Sequence, residues 1–345
     1  MQRVPQLKWA ATHYCGPPFF CVSERRFALR TVIKGGITID NSGRLASDDG
    51  NGIGDFDLPL TARSLIRIDY FAPPIEVSDY VTTLYHMTCD EQQIRDIQPA
   101  SVGHLSLFPY GRGEMWFPGG RRESNPEVAL LTPLSTASPI VLDGPFHAIG
   151  AALTPLGWAA LTGLHAGEHG NHLYDARAYL GDRIADTGDR LIADYRSGLK
   201  TGEDCAYALA KDMADLVQKV NRRHLEFIRT VNSWLGDSFN PDVADLHASA
   251  AYGTRQVQRL CERYFGLPPR SLARKYRALR AASLLSLPNL TPEYEAELGR
   301  AFFDQSHMIR EIRCFVGCTP AKLGGGDNQF LSEMVGPWNL RELDG

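Results

Sequence analysis

Between positions 302 and 320 the chain reads FFDQSHMIREIRCFVGCTP, and four residues there have metal-ligand chemistry: Asp304, His307, Cys314 and Cys318. A carboxylate, an imidazole and two thiolates can hold zinc when they converge. The same stretch also reads as a short helix with an acidic cap and a polar outer face. A second cluster, HAGEHGNH, places His165, Glu168, His169 and His172 within eight residues. Imidazoles beside a carboxylate suit zinc or a similar ion. The glycine-rich setting of this cluster equally suits a solvated loop. No Ser/His/Asp elbow, phosphate-binding glycine loop or redox motif stands elsewhere in the sequence.

The 345 residues are 43% hydrophobic and 22% charged, which suits two or three soluble domains. The seven cysteines are odd in number, scattered and free of any Cys-x-x-Cys pair, which argues against a disulfide framework and against a thiolate zinc site. The N-terminal residues lack the apolar core of a secretory leader. The most apolar long stretch, HAIGAALTPLGWAALTGL, is interrupted by Pro155, Gly157 and Thr162 and makes a poor membrane span. A cytoplasmic location is therefore expected. A net charge of −4 argues against a nucleic-acid partner. The distribution reverses that: residues 241–323 hold twelve basic and eight acidic side chains, leaving 24 basic against 32 acidic elsewhere. A basic module on an acidic body marks a local footprint for a polyanion.

The elements that would position these residues fall into three textures. Up to about residue 160 the pattern is strand-like. FALRTVIKGGITID reads as a hairpin about Gly35-Gly36, and HLSLFPYGRGEMWF is rich in aromatics between breaks, the pattern of a β-sandwich or barrel. SDDGNGIGDFD, residues 47–57, fails the calcium-loop spacing and reads as a plain loop. From about 162 to 234 the texture is helical. In residues 205–235, Leu209, Met213, Leu216, Val217, Val220, Leu225, Ile228 and Val231 keep three- and four-residue spacing, predicting a long amphipathic stretch that packs on its own domain or on a second copy. GDSFN then reads as a linker. In the third region Asn240 reads as an N-cap with Pro241 in the first turn. A helix follows, then a turn at AAYG and a helix over 254–265 that stops at Gly266. A connecting helix runs up to Pro288. Thr291 and Pro292 then open a second pair, which turns at AFFD, is capped by Asp304 and stops at Gly317. The outline is two helix-turn-helix units joined by one helix.

In the helix over 254–265, Val257, Leu260, Cys261 and Tyr264 share one face. Arg255, Gln258 and Arg259 lie opposite, flanked by Gln256 and Arg263. In the helix over 305–316, Met308, Ile312 and Phe315 face inward and Gln305, Ser306, Ile309 and Arg310 outward. Arginine pairs with guanine edges, glutamine with adenine, and Ile309 suits a thymine methyl. Arg263, Arg270, Arg274 and His307 are candidates for phosphate contact, with Lys275 and Arg277 on the same connecting helix.

The second unit, Phe302-x-Asp304-Gln305-Ser306-His307, then Arg310, then Phe315-Val316-Gly317-x-Thr319-Pro320, resembles the DNA-binding domain of AraC/XylS-type transcription regulators. The first, from Arg255 through Leu260 to Gly266 and Pro269, supports it at this separation. Gly253 stands where that family carries a serine cap. Cys261 and Ile312 replace large aromatics, Ala301 a glycine and Glu297 a small alanine. The N-terminal part, through ALTPLGWAALTG, is more diffusely similar to the cupin-like regulatory domain of such proteins. The resemblance implies a multidomain α+β chain. Its parts would be a β-rich, jelly-roll-like effector domain over 1–160, a helical connector with a dimerisation role over 161–236, the DNA-binding domain over 240–323 and a tail over 324–345. It further implies a non-enzymatic, sequence-specific regulator without a cofactor, most simply an activator. The expected partners are double-stranded DNA, RNA polymerase, a small effector and a second copy, with no membrane. Tyr70, Tyr85, His86, His104, Trp116 and Trp158 are the candidates to line an effector pocket, or else simply core residues. The rival reading, through His165, Glu168, His169 and His172, is a metal-responsive regulator or a cupin-type metalloenzyme. In the opening stretch the helical reading makes Asp304 a cap and puts the helix stop at Gly317 between the two cysteines, which argues against a metal there.

Overall fold

The computed structural model describes residues 60–62, 65–287 and 289–323. The expected hairpin around Gly35-Gly36, the loop at 47–57 and the tail at 324–345 lie outside the described residues.

The β part is built from β1 (Ile66–Phe71), β2 (Val81–Cys89), β3 (Gln93–Gln98), β4 (His104–Phe117), β5 (Arg121–Ser124), β6 (Val128–Leu131) and β7 (Ser138–Leu153). After α1 (Pro155–Thr162) comes β8 (Leu173–Asp175), which returns to pair with β6. The sheet runs β1-β2-β7-β4-β6-β8, with β3 added to the first half of β7 and β5 to the end of β4. Every pairing is antiparallel. The two long strands, β4 and β7, hold it together, and alternation along them separates two faces. Leu84, Leu105, Leu107, Val128, Ile149 and Leu153 point to one face, Met87, Met115, Leu131, Phe146 and Ala148 to the other.

The helices that follow are α2 (Ala176–Leu180), α3 (Asp182–Arg196), α4 (Gly202–Ala214), α5 (Arg222–Gly236), α6 (Val243–Ser249), α7 (Thr254–Phe265), α8 (Pro269–Leu285), α9 (Pro292–Ala301), α10 (Gln305–Val316) and α11 (Pro320–Leu323). The expected long helix over 205–235 is two helices. Between them Gln218 N–H donates to the Ala160 carbonyl at 2.8 Å, and Asn221 restarts the helix by accepting from Arg223 N–H at 2.9 Å. The two pieces serve different cores. Ile184, Leu191, Cys205, Leu209 and Met213 of α3 and α4 cover the first face of the sheet. Phe227, Ile228, Val231 and Leu235 of α5 pack instead with α6 to α11. The apolar faces of the connector are thus used inside this chain. The expected cap at Asn240 also shifts. Asp242 caps α6, accepting from Ala244 N–H at 2.9 Å, while Asn240 Oδ1 accepts from Arg277.

The helical part is seated on the β part at two places. Ala100 N–H donates to the Phe315 carbonyl at 2.7 Å and Ala137 N–H to that of Cys314 at 3.0 Å. On the other side Ala166 N–H donates to the Arg263 carbonyl at 2.8 Å and Gly167 N–H to that of Glu262 at 2.9 Å. The last carbonyls of a helix have no partner within it. Here loops of the β part supply partners for both α7 and α10. Between the two places Lys275, 3% exposed, donates to the carbonyls of Ser101 at 2.9 Å and Leu134 at 3.2 Å.

Asp96, on β3 beside the seat of α10, is buried at 2% exposure and accepts from Ile97 N–H at 2.7 Å. Burial pushes its carboxyl up to about 8, against the partial relief of that hydrogen bond. A folded-state value above the unfolded one means the folded protein holds the proton more tightly. The stability it brings is complete below the unfolded value of 3.8 and is lost as pH rises through about 8. Asp96→Asn keeps the acceptor and removes the ionisation. Thermal melts are expected to show similar stability near about pH 4 and a higher midpoint for the variant near about pH 9. Parallel pH profiles would contradict the burial of this carboxylate.

Candidate nucleic-acid interface

Each of the two helices expected to meet nucleic acid has a defined start and stop. α7 begins at Gly253, which is extended and has no side-chain cap, and stops at Gly266 with φ +79°. α10 begins at Asp304, whose carboxylate accepts from His307 N–H at 2.7 Å, and stops at Gly317 with φ +89°. Gly317 is required twice over. Its φ disfavours any side chain, and a Cβ there would lie 2.4 Å from Ile97 Cγ2 and 3.0 Å from Ala137 Cβ. The helix stop is thus also a point of close approach to the β part.

The faces divide as the periodicity predicts. Val257, Leu260, Cys261 and Tyr264 are buried in α7, while Arg255, Gln258, Arg259 and Arg263 are exposed and Gln256 is half-buried. Arg259 donates to Gln256 Oε1 at 2.7 Å, and Gln258 to Glu262 Oε1 at 3.2 Å. In α10, Met308, Ile312 and Phe315 are buried, Arg310 is exposed, and Gln305, Ser306 and Ile309 are half-buried. The departures Cys261 and Ile312 are both fully buried, and burial pushes the Cys261 thiol up to about 12, leaving it an inert apolar group.

One residue unremarked in the sequence organises this unit. Glu311, 1% exposed, lies on the inner face of α10. It accepts from Arg274 Nε at 2.7 Å and from Arg277 Nη2 at 2.6 Å, and its Oε1 is 3.0 Å from His307 Nε2. The Arg277 guanidinium also stacks over Phe302 at 5.0 Å. Of the candidate phosphate contacts, Arg274 and His307 therefore serve this carboxylate, whereas Arg263 and Arg270 are exposed. Arg277 is committed to Glu311 and Asn240, and Lys275 to the β part. The signal for Glu311 was present: positions 308, 311, 312 and 315 share a helical face, so a charge there had to find buried partners.

The other candidates are dispersed. His165 Nε2 lies 4.0 Å from Glu168, His169 Nδ1 lies 3.3 Å from the Tyr174 hydroxyl, and His172 Nδ1 lies 2.7 Å from Glu123. Among the described residues no three His, Cys, Asp or Glu side chains are arranged to hold a metal ion. Cys314 is exposed and Cys318 buried on either side of the helix stop. In the β part, Tyr70 pairs across strands with Tyr85, whose hydroxyl lies 2.7 Å from Ser106 Oγ, and His104 meets the Tyr85 ring edge-on at 5.8 Å. Burial drives the Tyr85 phenol up to about 12 and His104 down to about 4, so both are neutral. Trp116 lies apart under the Arg122 guanidinium at 4.2 Å, and Trp158 belongs to the other face of the sheet, donating to the Leu164 carbonyl. His86 sits on that face too, 2.9 Å from the Tyr195 hydroxyl.

Residues 246–324 match the family model described as a helix-turn-helix domain. No curated protein matches the chain in sequence. Among solved structures the chain is similar to ToxT from Vibrio cholerae, at 11% identity and a TM-score of 0.40 over 78% of this chain and 97% of that one. It is also similar to ToxT of Vibrio cholerae strain SCE256 with an unsaturated fatty acid bound, at 8% identity and 0.41 over 74% and 94%. The AraC-like transcriptional activator CuxR follows at 12% and 0.26 over 64% and 87%. The weight rests on the domain match, which covers both helix-turn-helix units.

Removing one partner from a buried ion pair leaves the other charge uncompensated, at about 3–5 kcal/mol. Glu311→Ala is expected to lower stability by about that amount in chemical denaturation, because the Arg277 side chain is only 11% exposed. Arg274→Ala, at 45% exposed, is expected to lower it far less. Equal small effects would show that the cluster is not a structural hub.

Proposed function

We propose that this chain, which carries a helix-turn-helix domain over residues 246–324, is a DNA-binding transcription regulator of the AraC/XylS type that reads its site with α7 and α10 together. The observation that carries the reading is the division of both helices. Each buries an apolar face against α8 and presents a polar, basic face outward. The residues assigned to base edges are Arg255, Gln256, Gln258 and Arg259 on α7 and Gln305, Ser306, Ile309 and Arg310 on α10. Arginine offers a fork to the two acceptors of guanine, and glutamine a donor and an acceptor to adenine. Two helices joined by one rigid helix suit successive major-groove segments, about 34 Å apart on straight DNA. Arg263 and Arg270 are free to reach phosphates, which hold register without reading sequence.

The β part is assigned the sensing role. Tyr70, Tyr85 and His104 lie together on one face of the sheet, and His104 Nε2 is buried without a hydrogen-bond partner. A small effector that supplies this partner would act near the joint, because His104 follows closely on Ser101, whose carbonyl holds Lys275. No metal enters this reading.

Arg259→Ala and Arg310→Ala are each expected to cost about 1–3 kcal/mol of discrimination at a cognate site, with much smaller effects on unrelated DNA. Arg270→Ala should weaken both alike and lower the salt slope by about one. Competition binding across a salt series measures all three. Full preference retained by both the Arg259 and Arg310 variants would overturn the assignment of the reading helices.

A further inference from the structure

The loop that follows α1 is part of the β half, yet it lies against the flank of α7. Its residues Ala166 and Gly167 cap the end of that helix. Between this loop, the start of α5 and α7 opens a cleft of about 710 Å³. Its polar lining comes from His165 and Glu168 on the loop, His224 on α5, and Arg259, Glu262 and Arg263 on α7.

The guanidiniums of this cleft have no carboxylate partner. Arg259 bonds to the neutral amide oxygen of Gln256, and Arg263 packs beside the Tyr264 ring at 5.8 Å. Among the described residues neither guanidinium is ion-paired with a carboxylate. Glu262 is engaged by Gln258 Nε2, and Glu168, at 73% side-chain exposure, holds a carboxylate oxygen 4.0 Å from His165 Nε2 at the edge of the cleft. His165 Nδ1 accepts from Glu168 N–H at 3.3 Å, so Nε2 is the nitrogen available to donate. His224 Nδ1 lies 2.6 Å from the Tyr264 hydroxyl, and with that hydroxyl donating its Nε2 carries a proton too. Two guanidiniums and two imidazole N–H groups from three separate elements therefore line one open cleft. Burial lowers the His224 pKa, and the nearby positive charges of Arg263 and Arg259 lower it further, as expected where that field is not neutralised.

We propose that this cleft is a phosphate seat shared between the two halves of the protein, in which His165 of the β half completes a site begun by Arg259 and Arg263. Guanidinium and imidazole donors suit a phosphate oxygen better than a metal or an apolar ligand. Two sources can supply the group. One is the backbone of the DNA that α7 reads, with His165 and Arg263 on the phosphate while Arg259 turns to its base. The other is a free phosphate ester, which would hold Arg259 away from DNA. Either way the β half touches what α7 touches, a direct route for its state to alter DNA binding. The inference rests on the assignment of α7 as a reading helix.

The test uses the full chain with His165→Ala, Arg263→Gln and the double variant, after melts confirm that all three fold. Among the described residues the His165 side chain has only contacts to Glu168 to lose, one hydrogen bond from the Glu168 N–H and a 4.0 Å approach to the Glu168 carboxylate. In the first arm, inorganic phosphate is titrated without DNA at constant ionic strength and the melting midpoint is read. A rise in the unsubstituted protein that the His165 variant loses identifies a free phosphate. In the second arm, affinity for a cognate duplex is read. About a ten-fold loss in the His165 variant, the scale of one hydrogen bond to a charged group, identifies the DNA backbone. The double variant should then lose less than the product of the two single losses. No response to phosphate and unchanged DNA affinity in the His165 variant would overturn the proposal. Failure of the reading-helix assignment is distinct: the unsubstituted protein itself would then show no salt-dependent preference for a cognate duplex.

Discussion

The joint between the two halves rests on the open ends of two helices. A helix cannot satisfy its last carbonyls from within, and α7 and α10 turn theirs toward loops of the β part. Ala100, Ala137 and Ala166, three of the four donors, are fully buried. A made hydrogen bond contributes only about 0.5–1.5 kcal/mol net, but a buried one left unmade costs about 1–3 kcal/mol. The joint is held less by attraction than by the cost of parting without water to replace the lost partners. It sits at the far ends of the two helices assigned to reading bases, so their relative placement depends on the loops at 99–103, 132–137 and 163–172.

Two buried charges stiffen this arrangement from opposite sides. Glu311 ties α10 to α8 through Arg274 and Arg277, making one body of the two helix-turn-helix units. Lys275 ties α8 to the β part through two carbonyls. In a low-dielectric interior a charge is tolerated only with its hydrogen bonds made. Both groups therefore specify geometry more than they add stability. Lys275 also depresses the neighbouring His104, so the polar interior of the β part and the joint share one electrostatic environment.

The middle of the chain serves two cores. Its amphipathic periodicity is real, but α3 and α4 are walls of the β part, whereas α5 is a wall of the helical part. The short break between α4 and α5 is where the chain crosses from one core to the other. A signal passing between the halves has both this covalent crossing and the capped helix ends available to it.

Much of the helical part was legible because its determinants are local. Asp304, Thr291 and Pro292 mark starts, Gly266 and Gly317 mark stops, and a 3.6-residue period sorts each helix into faces. The β-rich character of the first part was legible from alternation, though its strand order was not, since pairing depends on residues far apart in sequence. Asn240 looked like a cap but is held by Arg277, some 37 residues away. The three histidines of residues 165–172 looked like one ligand set but each finds a different neighbour, Glu168, Tyr174 and Glu123, because the loop wraps between β6, β5 and α7 instead of closing on itself. Glu311, Lys275 and Asp96 could be seen as charges on apolar faces, yet only the fold could name their partners. Local backbone chemistry decides where elements begin and end, whereas the satisfaction of buried polar groups is settled only when distant segments meet.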